Sequence, residues 1–269
     1  MICLYRGRLA PSPTGYLHLG HVATFQLAAQ RCREHGGVLV MRMEDLDVAR
    51  CRTEYAQAAL ADLQAQGLRW QEGPDLGGPH APYIQSERTM LYLDIWRQLK
   101  EAGFIYPCQR SRKDVEAAAQ APHEGDGEPI FPQEWRPSVA AVFEQASPAG
   151  SNWRFRVPDG EVISFVDARC GAYAATAGVD FGDFIVWRRD GIPAYELAVV
   201  VDDHHMEITE VVRGEDLLLS TCRQLLIYRA LGWTPPCFFH APLLRDADGR
   251  RLAKRHAALS LRQILKRGL

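Results

Sequence analysis

The stretch that most constrains the fold lies near the amino terminus, where a short apolar run is followed at once by prolines, glycines and two histidines. Residues 8–21 read RLAPSPTGYLHLGH. The two prolines fix the backbone torsion φ and stiffen a turn, and the glycines lack side chains, so a ligand can approach the backbone closely. This order predicts a buried strand, a rigid turn and then a helix that begins near His18.

The predicted helix start is suited to binding a polyphosphate. The first turn of a helix carries free N–H groups and the positive end of the helix dipole. His18 and His21 are three residues apart, so their imidazoles share one face of that turn. Both can donate hydrogen bonds to phosphate oxygens as negative charge develops. Two neighbouring histidines alone are more often incidental than catalytic. The indication of a site comes from the whole segment of residues 8–21.

Composition places the chain among globular proteins with a large core, because 47% of its 269 residues are hydrophobic. A net charge of -2 argues against indiscriminate nucleic-acid binding. Seven cysteines without a C-x-x-C pair favour reduced thiols. The amino terminus has no apolar signal region and no segment is apolar enough to span a membrane, so we expect a cytoplasmic protein. A local basic cluster keeps a tRNA partner open; it comprises Arg245, Arg250, Arg251, Lys254, Arg255, Arg262, Lys266 and Arg267.

Two further apolar runs end in charged residues. Residues 38–43 read as a buried parallel strand followed by Glu44, and residues 208–212 read as a strand that ends in Arg213. Open α/β sheets bind ligands at the carboxyl ends of their strands. Arg213 and Arg8 would then face one crevice, where two planar guanidinium groups suit a ligand with two carboxylates.

Four segments carry a resemblance to a known family. Besides residues 8–21, these are RMEDLD at 42–47, YIQSER at 83–88 and RLAKR at 251–255. Together they resemble the signatures of class I aminoacyl-tRNA synthetases, in the form typical of the glutamyl branch. The resemblance implies an α/β fold with a Rossmann-type parallel sheet, an inserted α+β subdomain and a short C-terminal helical segment, without an anticodon-binding domain.

The same resemblance implies four regions along the chain. Residues 1–106 would form the first half of the Rossmann domain, and 107–190 an inserted subdomain that ends in a hairpin. Residues 191–240 would form the second half, and 241–269 a drifted KMSKS-like loop with a C-terminal helix.

Site residues carried over from the family fall into two groups. The glutamate pocket would place Glu44 against the substrate ammonium group and Tyr195 against the substrate, with the two arginines on its carboxylates in an order that the sequence leaves open. His18, His21 and Lys254 would be catalytic. The full glutamate set is Arg8, Ala10, Ser12, Glu44, Tyr195 and Arg213, and the ATP set is His18, Gly20, His21, Leu252 and Lys254.

Relatives in this family carry a zinc site in the inserted region, but the present sequence departs from it. Cys108 keeps one ligand position, whereas Arg110, Phe131 and Trp135 stand at the other three. One thiolate cannot close a tetrahedral zinc site, and His123 and Glu124 have no established ligand spacing. We therefore expect no zinc or other resident metal, and apolar packing that includes Phe131 and Trp135.

The resemblance is to the truncated paralogues of glutamyl-tRNA synthetase, because the chain stops at Leu269, where full-length members continue. It implies activation of L-glutamate by ATP with Mg²⁺, and transfer to the queuosine base in the anticodon stem-loop of tRNA(Asp), by a monomer with no membrane partner. Two alternatives stay open at this point. One is a short glutamyl-tRNA synthetase that charges tRNA(Glu), and the other is a non-catalytic protein that binds tRNA or senses glutamate.

Overall fold

The computed structural model describes residues 4–110, 114–115, 129–138, 145–244 and 261–266. The strands are β1 (Arg6–Leu9), β2 (Val38–Met41), β3 (Ile105–Cys108), β4 (Asn152–Phe155), β5 (Val162–Asp167), β6 (Gly171–Thr176), β7 (Phe184–Trp187), β8 (Glu210–Gly214) and β9 (Cys237–Ala241). The helices are α1 (Leu19–Glu34), α2 (Thr53–Ala65), α3 (Thr89–Glu101), α4 (Tyr195–His205), α5 (Leu218–Leu231) and α6 (Leu261–Lys266).

Two parallel strand pairs form the layer that carries the site. β1 pairs with β2, and β8 pairs with β9. The pairs lie side by side, because the backbone N–H of Thr209 donates to the carbonyl of Arg6 at 2.9 Å. α1 connects β1 to β2 and packs its apolar face against this layer. The α/β fold class with parallel strands is confirmed, and the carboxyl ends of β1 and β8 meet at one edge.

Most element bounds agree with the periodicity of the sequence, with one informative difference at β8. The strand was expected over residues 208–212 with Arg213 at its end, whereas it begins at Glu210 and includes both Arg213 and Gly214. The reason is β9, which the local sequence does not reveal: its residues His240 and Ala241 pair with Arg213 and Gly214. Arg213 is therefore fixed within a strand rather than placed in the loop that follows it.

The inserted region is built from antiparallel strands. β3, β4 and β7 form one sheet and β5 and β6 a hairpin. β3 (Ile105–Cys108) spans the expected boundary at residues 106 and 107. The passage into the insertion therefore lies within a strand, although the four-region division itself stays a prediction.

An aromatic cluster occupies the region that carries zinc in the resembled family. Phe131 is 2% exposed and packs in the core of the insertion beside Tyr106. The Trp135 ring meets it edge-on, with 5.6 Å between ring centroids. The guanidinium of Arg110 lies over the Trp135 ring at 4.6 Å from its centroid. The expected packing of Phe131 and Trp135 is thus confirmed.

In the described ranges, no helix is both long and apolar enough to cross a membrane.

Candidate active site

A cavity of about 360 Å³ opens at the carboxyl ends of β1 and β8, beside the start of α1. Its wall brings together residues that lie far apart in the chain and were singled out from the sequence. They are Arg8, Ala10, His18, Gly20, His21, Glu44, Tyr195 and Arg213.

Ser12 lies outside the wall of this cavity, and two other expected site residues are not described by the structure. Ser12 is exposed and lines a smaller adjoining cavity that shares Ala10 and His21 with the larger one. It therefore stands next to the main cavity rather than on its wall. Leu252 and Lys254 lie outside the described residues.

The two histidines stand at the first turn of α1, as the sequence predicts. His18 is the N-cap residue, and its ring stacks on that of His21 with 3.7 Å between centroids. A Cβ atom at Gly20 would lie 3.3 Å from the His18 ring. Any other residue at position 20 would therefore press on this ring. The positive end of the helix dipole and both imidazole rings thus lie at the cavity wall.

Arg213 is a buried arginine whose partners are all neutral among the described residues. It is 5% exposed. Its Nη2 donates to Thr221 Oγ1 at 2.7 Å, its Nε to His240 Nε2 at 3.2 Å, and its Nη1 lies 3.5 Å from the Tyr195 hydroxyl. A guanidinium has more N–H donors than these contacts use. Its hydrogen bonds within the described residues are thus with neutral groups, although its charge also offsets part of the rise that burial causes in the pKa of the nearby Glu196.

His240 and Asp167 hold this arginine and were not recognised from the sequence. His240 is fully buried, and its Nδ1 lies 2.6 Å from Asp167 Oδ2. Burial lowers the pKa of His240, although Asp167 acts in the opposite direction. Asp167 belongs to β5, 73 residues away in sequence. No local pattern signals such a pair.

Arg8 is the second arginine that lines the cavity and, unlike Arg213, it lies close to a carboxylate. Its Nη1 donates to the carbonyl of Val212 at 2.9 Å, which ties β1 to β8. Its Nε lies 3.4 Å from Asp203 Oδ1. Both arginines thus reach the cavity from opposite strand pairs, as the sequence predicts.

Glu44 is held by Arg42, a fully buried arginine that sequence reasoning did not assign. Arg42 donates to Glu44 at 3.0 Å and to Asp203 at 2.7 Å, and it lies 3.8 Å from Asp202. Burial alone would lower the pKa of Arg42, but the three carboxylates raise it well above its usual value. Burial raises the pKa of Glu44, and the arginines offset only part of this effect. A ligand ammonium group would favour the charged form of Glu44.

The far wall of the cavity is mainly apolar. Pro242, Leu243 and Leu244 follow β9, and Leu217 lies opposite them. Such a surface suits the flat face of a nucleoside, whereas the arginine end suits anions.

The described residues do not fit a zinc ion. Cys108 is buried with its Sγ 4.0 Å from the carbonyl of Arg110, and the neighbouring aromatic rings offer no donor. Within the part of the chain that the structure describes, no group of three or more His, Cys, Asp or Glu residues could hold a metal ion. His123 and Glu124 lie outside that part.

Comparison with known proteins agrees with this geometry. The family model "tRNA synthetases class I (E and Q), catalytic domain" matches residues 5–268. A glutamyl-Q tRNA(Asp) synthetase from Nitratidesulfovibrio vulgaris is 46% identical over 99% of this chain and 82% of its own length. One from Symbiobacterium thermophilum is 47% identical over 100% of this chain and 82% of its own.

Among solved structures, a glutamate tRNA ligase from Elizabethkingia meningosepticum, in complex with its amino acid, has a TM-score of 0.80 at 30% identity. The match covers 98% of this chain and 53% of that one, so this chain spans about half the length of the ligase. The resemblance read from the sequence motifs is thereby confirmed. The chain belongs to the family of class I tRNA synthetases (E and Q), which it matches over the catalytic domain.

Proposed function

We propose that this protein activates L-glutamate with ATP and transfers it to the queuosine base at the wobble position of tRNA(Asp). The observation that carries the first half is the cavity itself, where Arg213 is bonded to neutral groups and shares the wall with Arg8 and Glu44. The second half is supported by the names of the relatives that are similar over nearly the whole chain.

The amino acid would bind with its ammonium group at Glu44 and its two carboxylates at the guanidinium groups. Arginine binds carboxylate through paired N–H donors. Glutamine would present an amide N–H₂ where the arginine requires an acceptor, so one donor would be left without a partner. Sites of this kind can reject the wrong ligand by roughly 10⁴-fold. The cavity is thus built to select a dicarboxylic amino acid.

In the activation step, an oxygen of the substrate α-carboxylate attacks the α-phosphorus of ATP. The bond from that phosphorus to the β-phosphate oxygen breaks, which yields the mixed anhydride and pyrophosphate. ATP would enter as its magnesium complex. His18 and His21 donate to the phosphate oxygens, Gly20 lets the chain approach them, and Lys254 and Leu252 complete the nucleotide site.

In the transfer step, a hydroxyl of queuosine attacks the carbonyl carbon of the mixed anhydride, and AMP leaves. The proton passes from the hydroxyl to the departing phosphate or to water. Ala10 lines both the larger cavity and the adjoining smaller one, and Ser12 lines the smaller one. We place the entry of the anticodon stem-loop on this side, in a monomeric cytoplasmic enzyme that has no zinc.

Pyrophosphate exchange tests the activation step. Wild-type protein should exchange labelled pyrophosphate into ATP only when L-glutamate is present, without tRNA, and L-glutamine should not replace it. Absence of exchange, with intact binding of tRNA or glutamate, would indicate a non-catalytic protein instead.

Charging assays test the acceptor. Queuosine-containing tRNA(Asp) should accept labelled glutamate, whereas the same tRNA without queuosine should not. Ester linkage at the terminal ribose of tRNA(Glu) would instead identify a short glutamyl-tRNA synthetase. Light scattering on the purified protein tests the monomer.

A further inference from the structure

A buried relay connects the inserted hairpin to the cavity. Asp167 ends β5, His240 lies in β9, and Arg213 lies in β8. Asp167 Oδ2 accepts from the His240 ring and from the His240 backbone N–H, at 2.6 and 3.0 Å. We propose that His240 is a positioning residue for glutamate selection, which acts by holding the Arg213 guanidinium in the orientation that receives a substrate carboxylate. This inference rests on the proposed glutamate activation.

The charge and donor pattern of the three side chains defines the tautomer of His240. The guanidinium of Arg213 can only donate, so His240 Nε2 must present its lone pair to Arg213 Nε, 3.2 Å away. The ring proton then resides on Nδ1 and is donated to Asp167. We assign a neutral ring, because a proton on Nε2 would face the guanidinium; Thr221 Oγ1, 3.0 Å from Nε2, is the acceptor that an Nε2–H ring would use instead.

Backbone hydrogen bonds hold the Asp167 carboxylate in place, so it can fix the position of the His240 ring. Its Oδ1 accepts from the backbone N–H groups of Arg169 and Cys170, at 3.0 and 2.8 Å, in the turn between β5 and β6. The backbone N–H of Ala168 donates to Phe238 O at 2.9 Å, which docks the hairpin on β9. The described part of the insertion therefore contributes to the amino-acid pocket without lining the cavity.

The other contacts of Arg213 leave its plane dependent on His240. Thr221 Oγ1 accepts from Nη2 and also lies 3.0 Å from His240 Nε2, so both contacts stand on the same side of the guanidinium. The remaining contact, with the exposed Tyr195, is long at 3.5 Å. Loss of the His240 acceptor would let the guanidinium turn away from the carboxylate position.

The tautomer can be tested without any enzymatic assay. NMR of protein labelled with ¹⁵N-histidine distinguishes Nδ1–H from Nε2–H rings, and the His240→Gln variant identifies the resonance. We expect a neutral Nδ1–H tautomer at pH 7. A neutral Nε2–H tautomer or a protonated ring would overturn the proposal.

Kinetics test the consequence for the pocket. We expect His240→Phe to raise KM for glutamate in pyrophosphate exchange by about tenfold or more, the loss of a charge-assisted hydrogen bond. KM for ATP should stay within about twofold of the wild-type value, because Arg213 is proposed to bind glutamate and not ATP. His240→Gln can still offer an amide oxygen to Arg213 and should recover most of the glutamate affinity. Phe165→Leu, which removes a ring packed beside His240 without removing a hydrogen bond, is the matched control and should leave both constants unchanged.

The outcomes separate this inference from the proposed function. No exchange and no glutamate binding in wild-type protein would reject the function and the inference with it. Normal exchange in wild type, with an unchanged glutamate KM in a folded His240→Phe, would reject the inference alone. If His240→Phe does not fold, His240→Leu and Thr221→Val decide: the proposal requires His240→Leu, which lacks the acceptor, to raise the glutamate KM more than Thr221→Val, which keeps the imidazole. The reverse order would overturn it.

Discussion

Arg42 and Arg213 are both buried beside the same cavity, yet their partners differ in charge. Arg42 is surrounded by Glu44, Asp202 and Asp203. Arg213 contacts an imidazole and two hydroxyl groups. A guanidinium whose charge is matched by carboxylates stabilises the fold, whereas one with neutral partners keeps its charge for a ligand. Burial alone therefore does not distinguish a structural arginine from a binding arginine.

The inserted region contains another arginine whose charge is matched by carboxylates, like that of Arg42. Arg136 donates to both oxygens of Asp183, each at 2.7 Å, and to Asp159. Asp183 also accepts from the hydroxyl of Tyr106 and from the backbone N–H of Val157. In this cluster the arginine and the two carboxylates neutralise one another, and Asp183 links the segments that carry Tyr106, Arg136 and Val157.

Removing Arg42 should give the largest effect on stability. Arg42→Met would leave Asp203 and Glu44 buried without their main counter-charge, which costs about 3–5 kcal/mol in the free energy of unfolding. Arg97→Met, at an exposed pair with Asp94, should cost less than about 1 kcal/mol. Denaturant titration measures both. Equal losses in the two variants would refute the structural role of Arg42.

Removing Arg213 should instead affect substrate use. Arg213→Met is expected to lower kcat/KM for glutamate by roughly a hundredfold, since charge-assisted hydrogen bonds contribute up to about 3 kcal/mol. The free energy of unfolding should fall much less than in Arg42→Met, because no carboxylate loses its partner. Pyrophosphate exchange and denaturant titration on the same preparation decide. A loss of stability equal to that of Arg42→Met, with unchanged kinetics, would contradict the assignment of Arg213 as a binding arginine and Arg42 as a structural one.

Acid should weaken the relay that keeps Arg213 in place. Burial lowers the pKa of His240 from its usual 6.5, so below that pH the unfolded chain binds a proton that the folded protein does not. The free energy of unfolding should therefore fall as pH drops below 6.5, by at most about 1.4 kcal/mol per pH unit from this one group. His204 and His205 act in the same direction.

The His240→Gln variant isolates the contribution of this residue. The carboxyl group that faces it belongs to Asp167, whose pKa is lowered below its usual 3.8. Unfolding curves between pH 5 and 7.5 should thus have a smaller slope in the variant. An unchanged slope would show that His240 is not held neutral in the folded protein.

The smallest effect is expected in the aromatic cluster of the insertion. Arg110→Gln removes the guanidinium that lies over the Trp135 ring and should cost about 0.5–1 kcal/mol. Thermal unfolding measures this loss, and added zinc should restore nothing. Tight zinc binding by the purified wild-type protein would contradict the packing that we assign to this region.

The parts of the molecule that could be predicted from the sequence are those whose signal is local. The start of α1 at His18 follows from the order of prolines, glycines and apolar residues within one short stretch. The end of β2 follows from an apolar run that stops at Arg42, and the end of β1 from the proline-rich turn that begins at Pro11. Arg8, Glu44 and Arg213 could be placed on one cavity because strand ends in an α/β sheet converge.

The supporting network could not be predicted, because its pairs join distant segments. Arg42 meets Asp203 across 161 positions, and Asp167 meets His240 across 73. Arg42 opens the RMEDLD segment, but that motif does not reveal its partner, and Asp167 and His240 lie in none of the four segments quoted from the sequence. β9 was missed for the same reason: its strand character comes from its pairing with β8.

The docking of Asp167 on His240 has a consequence for protein engineering. The insertion of this fold looks like a module that could be exchanged to redirect the enzyme toward another RNA. A chimera that replaced residues 107–190 would also remove the carboxylate that orients the imidazole behind the amino-acid pocket. Transplants that keep an aspartate at the first turn of the hairpin should retain glutamate recognition, and those that lack it should lose amino-acid affinity before any change in RNA preference can be seen.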